Sequence, residues 1–375
     1  MPEKMTFHSI SIYGENPMFQ SLPLLALIGI FIVAAIAVWL SGIQLSNSTD
    51  ILSDRFGLGQ ALGGMILLAV ATNLPEIAIT ATAGVTHNID IATGNILGGI
   101  AIQTVVLVLL DAFGARKKDA LSYLASSIEL VLEGVLVIAV LVVAIMGTQL
   151  PQGIAFLRMS PSALLIVVIW VFGLWLLSRA RKDLPWQVKK DQDGGDTQDA
   201  SAQNTKKQQK EKSKKQTSTG RALLTFIIAS VITLVAGAAL EFSGDAISKD
   251  IGLSGVLFGA TILAAATSLP EVSTGLQSTW ISDYELAFSD IFGGNAFLPV
   301  LFILADLLSG QAVLPQAQKS DIYLASLGCL LTGIYIYGLI FRRPKQLFHR
   351  VGIDSVLVLG VYIVTIIGLL FMPGK

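Results

Sequence analysis

The stretch "ATNLPEIA", Ala71 to Ala78, recurs as "ATSLPEVS", Ala266 to Ser273, 195 positions further on. Each copy sets a proline beside a glutamate inside an apolar run. Proline has no backbone N–H, so in a helix Pro75 leaves the carbonyl of Ala71 without a partner, and Pro270 does the same to Ala266. Non-helical backbone at membrane depth survives only where protein or a water-lined cavity satisfies it. Thr72 and Asn73, and Thr267 and Ser268, add further polar side chains one turn before Glu76 and Glu271. Carbonyl, hydroxyl and carboxylate oxygens together are the donor set that a hard cation such as Ca²⁺ or Na⁺ takes. A glutamate at the centre of a span costs several kcal/mol unless it is paired, protonated or liganded. Two of them at matched positions make a binding role the leading reading, ahead of a simple helix kink.

The repeat is longer than the motif. Gly64–Gln103 aligns with Gly259–Leu298 without a gap, and thirteen of the forty positions are identical. Within it, "TGNILGGIAIQ" (Thr93–Gln103) and "SDIFGGNAFLP" (Ser289–Pro299) follow the two motifs. Their paired glycines, Gly98–Gly99 and Gly293–Gly294, permit close approach of a helix or an ion to the backbone. Asn95 and Asp290 occupy matched positions one turn before the glycines, and Asp290 is a third carboxylate candidate.

Composition sets the class. The 375 residues are 53% hydrophobic and 14% charged, with a net charge of −1 and a mean hydropathy of +0.70. A soluble domain carries about 25% charged residues. Ten segments are long and apolar enough to cross a bilayer, which takes about 20 residues each. They lie at 22–42, 58–84, 90–112, 121–146, 160–179, 221–242, 252–278, 286–309, 321–341 and 353–372. The first follows a polar stretch without a small-residue cleavage site and reads as a span, not a signal peptide. The expected fold is an all-α integral membrane protein of ten transmembrane helices. The single Cys329, the lack of a Cys/His cluster or glycine-rich phosphate loop, and the lack of a basic face with aromatics exclude neither class outright. They leave little support for an enzyme, an organic cofactor or nucleic acid.

Residues 181–220 are polar, rich in Lys, Gln, Asp, Ser and Thr, and cannot bury enough surface to fold alone. They divide the chain into a first half, 1–180, and a second half, 221–375. The expected state is a disordered linker, and the Lys206–Lys215 run could touch lipid headgroups. Loops on the linker's side hold twenty Lys and Arg residues against five on the other. The positive-inside rule therefore makes the linker cytoplasmic and puts both termini outside. Five spans per half then reverse the second half relative to the first, giving two inverted five-helix repeats, the plan of many secondary transporters.

With these motifs in place, the chain resembles the cation/Ca²⁺ exchanger superfamily, in particular its prokaryotic sodium/calcium exchanger branch. The resemblance covers the membrane portion and implies ten helices, with the second, third, seventh and eighth around the ions. It also implies alternating access by sliding of the first and sixth helices, and exchange of Ca²⁺ against Na⁺ or H⁺ across the plasma membrane. By position, the family's essential glutamates fall on Glu76 and Glu271, and its hydroxyl and carbonyl ligands on Thr72, Asn73, Thr267 and Ser268. The following helices depart from the pattern. Where the sodium/calcium exchangers have serines, and Asn and then Asp four residues later, this chain has Gly99 and Gln103, then Gly294 and Leu298. Two carboxylates are thus expected instead of three, with Asp290 or Asn295 as substitutes for the lost ligand.

The expected function is a Na⁺-driven Ca²⁺ antiporter with Ca²⁺ and Na⁺ as transported ions, the lipid bilayer as its surroundings and no obligate protein partner. A proton-coupled cation exchanger is the alternative, suggested by Leu298. A non-transporting cation sensor with the linker as its output is a reading of another class. An intramembrane hydrolase using two carboxylates leaves the Thr/Pro flanks and the inverted repeat unexplained. Asp111 and Asp306, also 195 apart, and Glu129 and Glu133 in the fourth span, are read as interfacial or packing residues.

Overall fold

The computed structural model describes residues 17–56, 68–114, 119–151, 158–183, 218–341, 346–348 and 351–372. Most of the linker, the Arg116–Lys118 cluster, Arg342, Arg343, Lys345, Arg350 and the start of the repeat alignment at Gly64 lie outside the described residues. Described helices are α1 (Leu24–Phe56), α2 (Leu68–Thr72), α3 (Leu74–Val85), α4 (Ile89–Gly114), α5 (Ile128–Gly147) and α6 (Pro161–Asp183). They continue with α7 (Thr219–Asp250), α8 (Gly255–Thr267), α9 (Leu269–Trp280), α10 (Tyr284–Ser309), α11 (Lys319–Phe341) and α12 (Ile353–Leu370).

Among the described residues, eight helices are long and apolar enough to cross a membrane, and nine if the bent pair α8–α9 counts as one span. Ten were expected. The difference lies at 58–84, where residues 57–67 are not described and α2 and α3 are each too short to cross alone. The expected fourth span, 121–146, is also broken, into a short helix Leu121–Ala125 and α5. The all-α expectation has one small exception, an antiparallel ladder between β1 (Gln346–Phe348) and β2 (Val351–Gly352) just before α12.

Two helices are much longer than expected. α1 has 33 residues and α7 has 32, so each is about 50 Å long at 1.5 Å per residue. A hydrocarbon layer is about 30 Å thick. Each helix covers part of the other: Ser41 Oγ lies 2.7 Å from Thr233 Oγ1, Leu45 packs with Ala229 and Phe226 of α7, and Ser48 and Thr49 are buried. Phe19, just before α1, stacks on Phe242, so contacts run in opposite senses along the pair. α1 and α7 share a small core with Leu27, Phe31, Val38, Leu240 and Phe258. A larger core joins α4, α5, α10 and α11 around Phe288, Phe292, Phe302 and Tyr335. The outward faces of α1, α6, α7 and α12 expose Leu25, Val33, Val168, Val235 and Val364, as a lipid-facing surface requires. The fold thus sets one long helix pair beside a block whose centre is α4 and α10.

Candidate ion-binding site

Both motifs break their helices, and at matched places. Asn73 separates α2 from α3 with φ −88° and ψ 15°. Ser268 separates α8 from α9 with φ −81° and ψ 1°, and the second break bends the path by 44°. Each proline opens the new helix, where its missing N–H costs no hydrogen bond. The break therefore falls two residues before the proline. Glu76 and Glu271 sit in the first turn of the new helices, where unpaired N–H groups and the helix dipole favour a negative group.

The structure brings the two glutamates together. Glu271 lies within electrostatic reach of both Glu76 and Asp290. Both glutamates are at most 1% exposed. Gln103 Nε2 reaches Glu76 Oε1 at 3.5 Å, and Thr267 stands beside the same carboxylate. Glu76 Oε2 and both oxygens of Glu271 have no hydrogen-bond donor. Thr267 and Ser268 both donate to the carbonyl of Ala264, at 3.1 and 2.8 Å. A hydroxyl so anchored still offers its lone pairs to a cation. Asn73 joins the group from the opposite half, since a Cβ on Gly294 would lie 3.1 Å from Asn73 Nδ2 and 3.4 Å from Gln103 Oε1. Thr72, Ala71 and Ala266 are buried beside the breaks.

The remaining candidates have surroundings of their own. Asp290 accepts a hydrogen bond from Thr274 Oγ1 at 2.8 Å. Asn295 Nδ2 donates to Thr104 Oγ1 at 3.0 Å. Asn95 is buried at the crossing of α4 and α8, where a Cβ on Gly259 would lie 3.1 Å from its backbone N, and its amide has no hydrogen-bond partner. Leu298 is fully buried and faces Gly99, whose added Cβ would lie 3.5 Å from Leu298 Cδ1. Among the described residues no three His, Cys, Asp or Glu side chains converge on one metal position.

Contacts between the halves recur with the 195-residue offset. Gly42 faces the ring of Pro270, and Gly237 faces Pro75 and Ala78. Gly99 faces Leu298, and Gly294 faces Gln103. The turns after the broken helices place His87 (φ 57°) and Ser282 (φ 62°) in the left-handed region. A model of the family described as "Sodium/calcium exchanger protein" matches residues 26–179 and 221–371. The chain belongs to the sodium/calcium exchanger family. This is a family of membrane transporters, not enzymes, and the chain is a multi-pass membrane protein. Among similar proteins, inner membrane protein YrbG of Escherichia coli K12 is 25% identical over 339 residues, 89% of this chain and 94% of that one. The putative antiporter CaxA of Alkalimonas amylolytica is 24% identical over 297 residues, 78% and 82% of the two chains. Among solved structures, the H⁺/Ca²⁺ exchanger CAX superposes with a TM-score of 0.63 at 13% identity, covering 93% of this chain and 82% of that one. The sodium–calcium exchanger NCX_Mj gives 0.57 at 15% identity, covering 91% and 98%.

Asp111 and Asp306, read from the sequence as interfacial or packing residues, are both fully buried. Asp111 accepts the backbone N–H of Leu121 and of Gly352, each at 2.7 Å, with Ser355 beside it. Asp306 accepts those of Val313 and Ser160, also at 2.7 Å, with the Ser160 hydroxyl beside it. Ser160 and Ser355 are themselves 195 apart, so each half's aspartate clasps the entry to the other half's last helix. Extending the gapless alignment beyond Gln103 exposes this signal, and extending it back before Gly64 pairs Gly42 with Gly237. Glu133 is likewise buried and accepts from Ser289 Oγ at 3.0 Å, which fits the packing reading.

Proposed function

We propose that the chain is a secondary antiporter that exchanges Ca²⁺ for Na⁺ across the plasma membrane, the membrane that corresponds to the inner membrane named for YrbG. The observation behind this is the pair of buried glutamates, one from each half, with three carboxylate oxygens lacking a donor. Two adjacent ionised carboxylates at membrane depth cost several kcal/mol each. One Ca²⁺, or monovalent cations in its place, removes that cost. A site that must be loaded before it can pass through the low-dielectric state couples the two fluxes. Glu76, Glu271, Thr72, Asn73, Thr267, Ser268 and the carbonyls of Ala71 and Ala266 would bind the ions, with Gln103 orienting Glu76. Asp290, Asn295 and Asn95 would support them.

Ten helices in two inverted repeats, residues 1–180 and 221–375, is the arrangement that goes with this function. The reciprocal contacts at the 195 offset support it, as does the count of basic residues that puts linker 181–220 in the cytoplasm and the termini outside. In this reading α1 and α7 move as a pair past the site. Proton coupling is the second reading, favoured by buried Leu298 at the position of the family's acidic ligand.

The test is ⁴⁵Ca²⁺ uptake into proteoliposomes under an outward Na⁺ gradient. Uptake that Glu76→Gln or Glu271→Gln abolishes supports the proposal. Uptake under an outward proton gradient alone transfers it to the second reading. Ca²⁺-dependent structural change with no flux under either gradient would leave a cation sensor.

A further inference from the structure

Glu241 is a second buried carboxylate system that the central site does not use. It lies on α7, is 1% exposed, and its position in the repeat is matched by Ser46 in the first half. It therefore belongs to one end of the molecule only. Its Oε1 accepts from Asn88 Nδ2 at 3.4 Å, Thr86 stands beside it, and Oε2 has no hydrogen-bond partner. Four residues on, and so on the same face of the helix, comes Asp245. Both line a small pocket, open at one side, together with Gln20, Thr86, Phe19 and Phe242. The stacked rings of Phe19 and Phe242 form its apolar wall.

Asp245 Oδ2 is 3.0 Å from Lys249 Nζ. That lysine side chain is 49% exposed and serves Asp245 from the open edge, and Glu241 keeps an oxygen with no donor. The comparison with the second half is informative. There Asp283, the counterpart of Asn88, caps its own helix by accepting from Leu286 N. Asn88 makes no such cap and gives its amide to Glu241. A buried carboxylate oxygen aimed into a polar pocket, with a second carboxylate one turn away and hydroxyl and amide oxygens opposite, matches the donor set of a hard divalent cation.

We propose that Glu241 and Asp245, completed by Thr86 and Gln20, form a second divalent-cation site at the end of the bundle where α3 turns into α4. Lys249 competes for Asp245, so the site is weak and exchanges quickly, as suits a place where ions are gathered and released. In the orientation proposed above this is the outer end. The site itself does not depend on what the central glutamates transport.

The experiment is Mn²⁺ binding to the full-length protein in detergent, followed by electron paramagnetic resonance. The Glu76→Gln/Glu271→Gln chain isolates the second site and is expected to retain bound Mn²⁺. Adding Glu241→Gln should weaken that binding by about tenfold or more, since ligand charge sets affinity. Asp245→Asn, at the open edge, should do the same and covers the case in which the Glu241 variant does not fold. Lys249→Met should tighten binding, an effect that a purely structural role for these residues would not produce. Absence of Mn²⁺ from the double variant, or binding indifferent to Glu241→Gln and Asp245→Asn, overturns the proposal. Retained Mn²⁺ in the double variant beside absent Ca²⁺ flux in the wild type would instead remove the antiporter reading and leave this site standing.

Discussion

The two halves of the site share a backbone and differ in chemistry. Each breaks a helix two residues before a proline, sets a glutamate in the first turn of the next helix, and lays a glycine of α4 or α10 against the other half. Gly294 faces amides, those of Asn73 and Gln103, whereas Gly99 faces the methyl groups of Leu298. Gln103 reaches Glu76, and no side chain donates to Glu271. The repeat thus keeps the backbone frame, because a helix break or close crossing leaves few residue choices. It leaves the side chains of the proposed site free to differ, since any side chain of fitting size keeps the packing. The halves are equivalent as a frame and unequal as an electrostatic environment.

The largest way to test this comparison is to neutralise each glutamate in turn. Both Glu76→Gln and Glu271→Gln are expected to lower ⁴⁵Ca²⁺ exchange more than about 100-fold, because a lost carboxylate partner in a buried site costs about 3 kcal/mol or more. A variant that retains substantial flux would show that the halves contribute unequally to the ion. Next comes Leu298→Asp, which would restore an acidic group opposite Gly99. With no cation the added buried charge should destabilise the protein by about 3 kcal/mol, seen as a lower melting temperature in detergent. Na⁺ or Ca²⁺ should recover more of that loss than it does in wild type. Failure of either ion to recover it would mean that position 298 does not face the site.

Asp111→Asn and Asp306→Asn probe the frame. Each carboxylate accepts two backbone N–H groups, and an amide can accept with one oxygen only. A loss of about 2 kcal/mol is expected for each, nearly equal between the two, with the apparent affinity for Ca²⁺ unchanged. Unequal melting temperatures would break the symmetry of the clasps. The smallest effects are expected at Gly42 and Gly237. A Cβ on Gly42 would lie 2.5 Å from the Pro270 ring, and one on Gly237 2.6 Å from Ala78 Cβ and 3.0 Å from the Pro75 carbonyl oxygen. Alanine at either should cost about 1–2 kcal/mol by overpacking. If α1 and α7 move past these prolines during transport, both variants should also slow exchange without raising the KM for Ca²⁺.

Much of this was legible in the sequence. The apolar runs announced membrane helices, because their length and lack of charge have no other use in water. Pro75 and Pro270 announced the breaks, because a residue without an N–H cannot continue a hydrogen-bonded ladder. Glu76 and Glu271 marked the two breaks as a candidate site, because burying a carboxylate is costly wherever the chain goes. These conclusions depend on neighbours within a turn or two, and the 195-residue offset doubled each signal.

What only the tertiary structure decided depends on residues far apart in the chain. That α1 runs to Phe56 follows from α7 covering its polar end, which no local pattern of Ser, Asn and Thr announces. That Asp111 and Asp306 are buried clasps, not surface charges, follows from backbone N–H groups of the other half arriving at their carboxylates. Glu241 drew no notice in the sequence, and its pocket exists only because Thr86 and Asn88 are folded against it. Local chemistry states what a residue cannot tolerate, and the fold supplies the partner that makes its position tolerable.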